Sequence, residues 1–178
     1  MLNGITLGIV MIVVLLIASF VLTLLINLLL VPLFRTPKDV LSEIIDMMNL
    51  KGGDHIADLG SGDGRILLEA HRVSKCKCTG YDISPIMLIV AKTKRILHFP
   101  LSKDFNFEAK DLFKAELKDF SKIYCYLDKE STNILQPKLK NFIGKKGEVY
   151  SYRYAVEKLK NEKRVILSNG ESLYIYKV

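Results

Sequence analysis

The chain has 178 residues, of which 49% are apolar and 25% are charged, and its formal net charge is +7. Its 26 basic and 19 acidic side chains all follow residue 34, so an apolar leader precedes a charge-rich body. This division argues against a disordered chain and against a wholly soluble protein. Three cysteines are too few for a disulfide framework, which disfavours a disulfide-stapled secreted module and favours a reducing environment.

The leader has the properties of a membrane-spanning helix. The 27 residues from Ile5 to Val31 would extend roughly 40 Å as a helix, enough to cross a hydrocarbon core of about 30 Å with some tilt. A cleaved signal peptide normally has a basic start and a shorter apolar stretch, and no Lys or Arg precedes this one. We therefore expect residues 1–34 to be a retained single-pass anchor in the lipid bilayer. Because Arg35 and Lys38 follow the span, the positive-inside rule places the body on the cytoplasmic side of the membrane.

The body, residues 35–178, reads as alternating helices and strands. Thr36 and Pro37 are typical of a helix start, with Thr36 as the N-cap and the helix ending before Gly52. Further along the chain, apolar runs and turn residues predict strands at His55–Leu59, Cys78–Asp82, Phe105–Lys110, Lys122–Leu127 and Glu148–Tyr154, and helices at Arg65–Val73, Ser84–His98 and Ser131–Phe142. Asn169-Gly170 predicts a closing hairpin. The fold class is thus α/β, with a mostly parallel sheet, helices on both faces and a C-terminal antiparallel hairpin.

A glycine-rich turn, Gly60–Gly64, follows the first strand of the body. It lacks the Gly-Lys-Ser/Thr ending of a phosphate-binding P-loop. It also lacks the last glycine of a dinucleotide fingerprint, because Arg65 stands there. The spacing of its glycines, with Asp58 two residues before Gly60, suits a ligand without a pyrophosphate. Asp58 can meet the cationic amino-acid end of S-adenosyl-L-methionine, which a dinucleotide lacks.

Two further acids support an adenosyl ligand. Asp82 ends the second strand, where its carboxylate can accept hydrogen bonds from both ribose hydroxyls, each worth roughly 1.5–3 kcal/mol. Nicotinamide enzymes use an acid in the same way, so Asp82 alone does not discriminate. Ile83 can pack on the adenine face. Asp111 ends the third strand and can accept from the adenine amino group, and the adjoining Leu112 is a further candidate cofactor-binding residue. Three acids at the ends of successive strands thus predict a cofactor site.

With these motifs, the body resembles the seven-strand, Rossmann-like S-adenosyl-L-methionine-dependent methyltransferases. More narrowly, the segments Arg35–Pro37, Asp58–Ile66 and Gly80–Pro85 resemble the small protein-lysine methyltransferases. That family includes archaeal lysine methyltransferases and membrane-anchored mitochondrial enzymes acting on ATP synthase subunit c and the adenine nucleotide translocase. The resemblance implies methyl transfer to the lysine amine of a protein substrate, which itself can be membrane-associated. It also implies cofactor positions at Thr36, Pro37, Asp58, Gly60, Gly62, Asp82 and Asp111, with Thr36 and Pro37 closing over the cofactor.

The acceptor side of the site is predicted from position alone. Methyltransferases of nucleic-acid amines carry an Asn/Asp-Pro-Pro-aromatic motif at the place where this chain has Tyr126-Leu127-Asp128. Because that motif is absent here, no nucleic acid is expected as a partner. Tyr126 is the candidate orienting residue through its hydroxyl, and Asp128 is a candidate carboxylate for the incoming ammonium. No metal ligands are expected, because Cys76 and Cys78 lack a second pair. Two alternatives stay open: a small-molecule methyltransferase acting on a lipid or quinone precursor, and a cofactor-binding scaffold without transfer activity.

Overall fold

A computed structural model describes residues 4–30, 35–157, 159 and 162–177. The chain divides into two compact units, Met1–Leu33 and Phe34–Val178. The described part of the first unit is one helix, α1 (Gly4–Leu30), in which no side chain is charged. Its segment Gly4–Ile26 is long and apolar enough to cross a membrane, although a signal sequence meets the same criteria. The predicted last residue of the span, Val31, and the predicted boundary residue Phe34 lie outside the described residues.

The second unit alternates strands and helices as the sequence predicts. Its elements are α2 (Leu41–Met48), β1 (His55–Leu59), α3 (Arg65–Ser74), β2 (Lys77–Asp82), α4 (Pro85–His98), β3 (Phe105–Ala109), β4 (Lys122–Cys125), α5 (Lys129–Gly144), β5 (Glu148–Tyr152), β6 (Glu162–Ile166) and β7 (Ser172–Tyr176). A single 3-10 turn, Leu112–Lys114, lies between β3 and β4. The 3-10 turn is an addition to the predicted pattern.

The strands form one seven-stranded mixed sheet in the order β3-β2-β1-β4-β5-β7-β6. Strands β1 to β5 pair with one another in parallel, and β7 pairs antiparallel with both β5 and β6. Asp58 of β1 is in register with Gly80 of β2 and with Tyr124 of β4. The predicted α/β class and the closing hairpin are therefore confirmed.

Helices cover both faces of the sheet, as the sequence predicts for parallel strands buried on two sides. On one face, apolar side chains of α2, α3 and α4 pack in a cluster that includes Ile44, Leu67 and Leu88. On the other face, α5 packs through Leu135 and Leu139 in a second cluster. The carboxyl ends of the parallel strands lie between these layers, at the edge where open α/β sheets bind ligands.

The predicted start of the first body helix is wrong. Helix α2 begins at Leu41, and its N-cap residue, Val40, makes no side-chain cap. Thr36 does not cap a helix because its hydroxyl is hydrogen-bonded to the hydroxyl of Tyr124, 88 residues further on, at 2.7 Å. A tertiary contact therefore takes the group that the local pattern assigned to capping.

Several predicted strand and helix ends also differ from the structure, most of them by one or two residues. Helix α5 begins at Lys129, before the predicted Ser131, because Asp128 is its N-cap. Strand β4 accordingly ends at Cys125 rather than Leu127. Strand β5 ends at Tyr152, since Arg153 has a positive φ of 71° that breaks the extended backbone.

Candidate active site

The glycine-rich turn after β1 is fixed to the end of β2. The backbone N–H groups of Gly60 and Ser61 both donate to the carbonyl of Tyr81, each at 2.9 Å. Gly60 and Gly62 have φ angles of 85° and 50°, which side chains with a Cβ rarely adopt. The turn thereby presents bare backbone to the edge where β1 and β2 end, as the sequence predicts for a loop that lies against a ligand.

Asp58 is the buried acid of this edge. It is 3% exposed, and burial together with the charges of Asp82 and Asp63 raises the pKa of its carboxyl well above its usual value, with no compensating hydrogen bond among the described residues. Asp58 lines a small pocket with Thr36, Gly60 and other residues of the turn. Burial disfavours the charged form of a carboxylate that accepts no hydrogen bond, and a cationic amino group beside it would stabilise that form.

Asp82 connects the glycine-rich turn to the segment that follows β2. One carboxylate oxygen accepts from the N–H of Gly62 at 2.7 Å, and the other accepts from the N–H of Ser84 at 2.8 Å. A carboxylate has about four acceptor sites, so two remain for hydroxyl groups. The structure thus places Asp82 where the sequence expects a ribose-binding acid.

The residues predicted for adenine lie along the neighbouring strand ends. Ile83, directly after β2, is 79% exposed and is free to pack on a flat ring. Asp111 lies two residues beyond the end of β3, and one of its oxygens accepts from the N–H of Phe113 at 2.9 Å, which caps the 3-10 turn. Leu112, the first residue of that turn, is half-buried. Asp111 therefore has a structural function in addition to the predicted ligand contact.

An ion-pair network connects the glycine-rich turn to the segment before α2. Buried Asp63 pairs with Arg65 at 2.8 Å and with Lys94 at 2.7 Å. Burial alone would raise the pKa of Asp63, but the hydrogen bonds and charges of these two cations hold it well below its usual value. Arg65 also donates through Nη1 to the backbone carbonyl of Thr36 at 2.7 Å. Thr36 and the adjoining Pro37 are thereby fixed beside the pocket of Asp58.

Tyr124 is a site residue that sequence reasoning missed. Its hydroxyl is buried, bonded to Thr36, and lines the pocket beside Asp58. Burial raises the pKa of this phenol well above its usual value although the hydrogen bond of Thr36 acts in the opposite direction. The strand pattern indicated only a core position, and its alignment with Asp58 emerges from the pairing of β1 with β4.

The two residues predicted for the acceptor side have different surroundings. Tyr126 lines the same pocket as Asp58, its ring contacts that of Tyr152 edge to face at 4.8 Å, and its hydroxyl accepts from Arg153 at 3.3 Å. Asp128 is exposed and lies outside the set of residues that line the pocket. Its carboxylate accepts from the N–H and the hydroxyl of Ser131, which hold the pKa of Asp128 below its usual value.

These donors and acceptors fit S-adenosylmethionine. The cofactor carries a cationic amino-acid end for Asp58, ribose hydroxyls for Asp82 and no pyrophosphate that would need a longer glycine loop. Glycine at the first position of the turn also avoids crowding within the protein, because a Cβ there would lie 3.1 Å from a side-chain carbon of Leu127. The chemistry of the site and the cofactor are thus complementary.

Comparisons with known proteins agree with this assignment. The family model described as the ANTKMT methyltransferase domain matches residues 58–163. The chain is 30% identical to the adenine nucleotide translocase lysine N-methyltransferase of Mus musculus over 99 residues, which are 56% of this chain and 43% of the mouse protein. The chain therefore spans less than half of the length of this curated relative.

Solved structures give the same fold. An RNA methyltransferase from Salinibacter ruber, in complex with S-adenosyl-L-homocysteine, superposes with a TM-score of 0.74 at 25% identity, covering 80% of this chain and 92% of the other. A ribosomal protein L11 methylase from Lactobacillus delbrueckii superposes with a TM-score of 0.61 at 18% identity, covering 78% and 77%. With the family match, these findings show that the chain belongs to the ANTKMT methyltransferase domain family and has the fold of the S-adenosylmethionine-dependent methyltransferases.

Proposed function

We propose that the protein methylates a lysine amine of a protein substrate and that residues 1–34 anchor its methyltransferase domain, residues 35–178, to a membrane. The observation that carries the chemical part is Tyr126, a hydroxyl at the end of β4 that shares the pocket of Asp58. The mouse relative, which is a lysine methyltransferase by name, supports the choice of acceptor. The uncharged helix α1 supports the anchor, and Arg35 and Lys38 after it support a cytoplasmic domain.

The chain's residues have three tasks in this reaction. The bound cofactor supplies an electrophilic methyl group on a sulfonium. Asp58 would hold the amino-acid end of the cofactor and Asp82 its ribose, and together they would fix the direction of that group. A lysine amine has an ordinary pKa near 10.4 and must release a proton to solvent before its nitrogen can take the methyl group from the sulfonium sulfur. A nearby sulfonium charge and partial desolvation would favour the loss of that proton. Tyr126 can accept a hydrogen bond from the neutral amine and direct its lone pair.

The tyrosine hydroxyl is held in place by its neighbours. Arg153 donates to its oxygen, and Arg153 in turn pairs with Glu171 at 3.4 Å. Arg153 also has the positive φ that ends β5, a conformation that costs energy and that surrounding contacts must maintain. We infer that this arrangement orients Tyr126 toward the acceptor. Asp128 lies outside the pocket, where its negative charge can attract the substrate's ammonium before it enters.

The test uses the full chain in detergent or vesicles with methyl-labelled S-adenosylmethionine and a membrane extract. We expect label in protein that hydrolyses to methyl-lysine, and we expect Asp58→Asn to reduce this labelling at a limiting concentration of the cofactor. Label in the lipid phase would instead support the small-molecule alternative, and label in nucleic acid would contradict the proposed acceptor. Cofactor binding without any transfer would support a scaffold.

The anchor is tested separately. We expect the full chain to resist extraction from membranes by alkaline carbonate, and an epitope tag appended after Val178 to be removed by protease added on the cytoplasmic side. Release by carbonate would refute the anchor, and protection of the tag on that side would refute the orientation, without bearing on lysine methylation.

A further inference from the structure

The outer side of α4 carries an unusual concentration of exposed apolar groups. Among the described residues of the second unit, the four most exposed large apolar side chains all lie between residues 83 and 101. Three of them belong to α4 or the turn after it: Ile89 is 64% exposed, Leu97 is 74% exposed and Leu101 is 93% exposed. Scattered single apolar residues on a surface are ordinary, but a cluster is typical of an interaction site.

These side chains share one side of the helix. Ile89, Lys92 and Ile96 are separated by three and four residues, so successive turns place them above one another. Leu97 adjoins this row, and Leu101 follows shortly after the helix ends. We refer to the surface formed by Ile89, Lys92, Ile96, Leu97 and Leu101 as the α4 outer face. It points away from the side on which Ala91 packs in the core.

The same segment is positively charged and contains no acid. From residue 83 to residue 103 the sequence has no Asp or Glu but has Lys92, Lys94, Arg95 and Lys103. Lys94 is paired with Asp63, so three cations are available around the α4 outer face. The first acid further along, Asp104, accepts from the hydroxyl of Ser102.

A second element adds positive charge at the C-terminal end of α4. The ammonium of Lys75, which follows α3, lies 5.5 Å from the centre of the Phe99 ring. On the neighbouring edge strand β3, the carboxylate of Glu108 accepts from the side chain of Asn106. The face is thus aliphatic, with cations around it, and the two acids that adjoin it have hydrogen-bond partners of their own.

We propose that the α4 outer face docks on an anionic lipid surface. Aliphatic side chains interspersed with Lys and Arg are the composition that lies in a membrane interface, with the apolar groups among the acyl chains and the cations near phosphates. Protein hot spots and nucleic-acid platforms are instead enriched in exposed aromatic rings, and the α4 outer face has none. The proposal rests on the proposed anchor for keeping the domain near a membrane.

A site-specific fluorescent label tests the docking. The full chain is reconstituted in vesicles of phosphatidylcholine alone or with phosphatidylglycerol, after Leu101→Cys labelling with an environment-sensitive dye; the native thiols of Cys76, Cys78 and Cys125 are buried. We expect a shift to shorter wavelength and quenching by lipid-attached quenchers in the anionic vesicles. The matched control is Ile134→Cys on α5, which is 57% exposed and belongs to the helix on the other face of the sheet. An equal response at both positions, or none at residue 101, would overturn the proposal.

Charge variants separate this surface from the rest of the protein. In the labelled Leu101→Cys chain, the combined changes Lys92→Gln, Arg95→Gln and Lys103→Gln should remove the shift, while methyl transfer in detergent stays unchanged. Flotation with neutral vesicles reports on the α1 anchor alone. A chain that floats with neutral vesicles yet gives no shift at residue 101 in anionic vesicles refutes the docking and keeps the anchor. A chain that floats only with anionic vesicles refutes the anchor and supports the docking.

Discussion

Arg65 donates to the backbone carbonyl of Thr36 at 2.7 Å while its guanidinium pairs with the buried carboxylate of Asp63. One side chain thus connects the glycine-rich turn with the segment that precedes α2. Thr36 and Asp58 line the same pocket. The contact therefore fixes the segment before α2 relative to the glycine-rich turn and to this pocket.

Arg65→Lys should weaken cofactor binding without unfolding the domain. A lysine keeps the positive charge next to Asp63, but it lacks the planar group that reaches two partners at once. Since a hydrogen bond from a charged donor is worth about 1.5–3 kcal/mol, we expect the affinity for S-adenosylhomocysteine to fall roughly 10- to 100-fold, measured by calorimetry. The matched control is Arg72→Lys on the same helix, whose exposed pair with Glu69 should be dispensable. An equal loss of affinity in both variants would contradict a role of the Arg65 contact in cofactor binding.

Asp58→Asn should reduce the affinity for the cofactor by about the same factor as Arg65→Lys. It should also remove the pH dependence of cofactor binding. The pKa of Asp58 is raised in the free protein, so this carboxyl is protonated at a higher pH than ordinary acids. A cationic cofactor prefers the ionised form, and binding should therefore weaken as the pH falls through the raised pKa. Calorimetry across pH 5 to 8 checks this. A pH-independent affinity in the unmodified protein would contradict the assignment.

The same substitution should stabilise the cofactor-free protein. A carboxyl whose pKa is higher in the folded than in the unfolded chain favours folding at low pH, and this contribution is lost as the pH rises through the folded pKa. Asn stays neutral, so the melting temperature of free Asp58→Asn should exceed that of the unmodified chain at alkaline pH. The rise in melting temperature on adding cofactor should shrink in the variant, and calorimetric scans with and without cofactor measure both changes.

Tyr124→Phe and Thr36→Val test the buried hydroxyl pair. Removing one partner leaves the other hydroxyl buried without a hydrogen bond, which costs about 1–3 kcal/mol in the free energy of unfolding. The double variant removes both hydroxyls and should lose less than the sum of the single variants. Denaturant unfolding of the four proteins measures this coupling. Strict additivity would show that the two hydroxyls act independently.

Tyr126→Phe should lower kcat for methyl transfer by about 10- to 100-fold and leave the Kd of the cofactor unchanged, because an orienting contact acts on the acceptor. Tyr174→Phe on β7 serves as the control for loss of a tyrosine hydroxyl elsewhere in the sheet. Full activity of Tyr126→Phe would exclude the orienting role.

Asp128 is tested by separating its cap from its charge. Asn is also a good N-cap, so Asp128→Asn should keep the stability of α5 while raising the KM of a lysine acceptor and sparing kcat. Asp128→Ala should additionally cost about 1 kcal/mol of stability. An unchanged KM for Asp128→Asn would show that Asp128 acts only as the N-cap of α5.

Local patterns predicted the parts of the fold whose causes are local. The helix predicted to start at Ser84 does start there, with Ser84 as its cap and Pro85 as its first residue, because the capping group and its backbone partner are three residues apart. The glycine-rich turn and the acids at the strand ends were readable for the same reason: strand, turn and helix follow one another directly. The start of α2 could not be predicted in this way, since Thr36 makes hydrogen bonds to residues 29 and 88 positions further along the chain.

The acceptor side was less accessible from the sequence than the cofactor side. Tyr126 was placed by its position after β4, but its partner Arg153 comes from the end of β5, and nothing in the sequence brings these ends together before β4 and β5 are paired. Tyr124 was hidden for the same reason, because a buried tyrosine in a strand is typical of any core.

The strand order has a consequence for how such enzymes can diversify. The chain runs outward from β1 to β3 and then returns to place β4 on the opposite side of β1. Asp58, Asp82 and Asp111 accordingly belong to the first half of the sheet, whereas Tyr126 and Arg153 belong to the second. With the roles proposed for these residues, insertions after β4 or β5 would remodel the acceptor side of the site and leave Asp58, Asp82 and Asp111 in place.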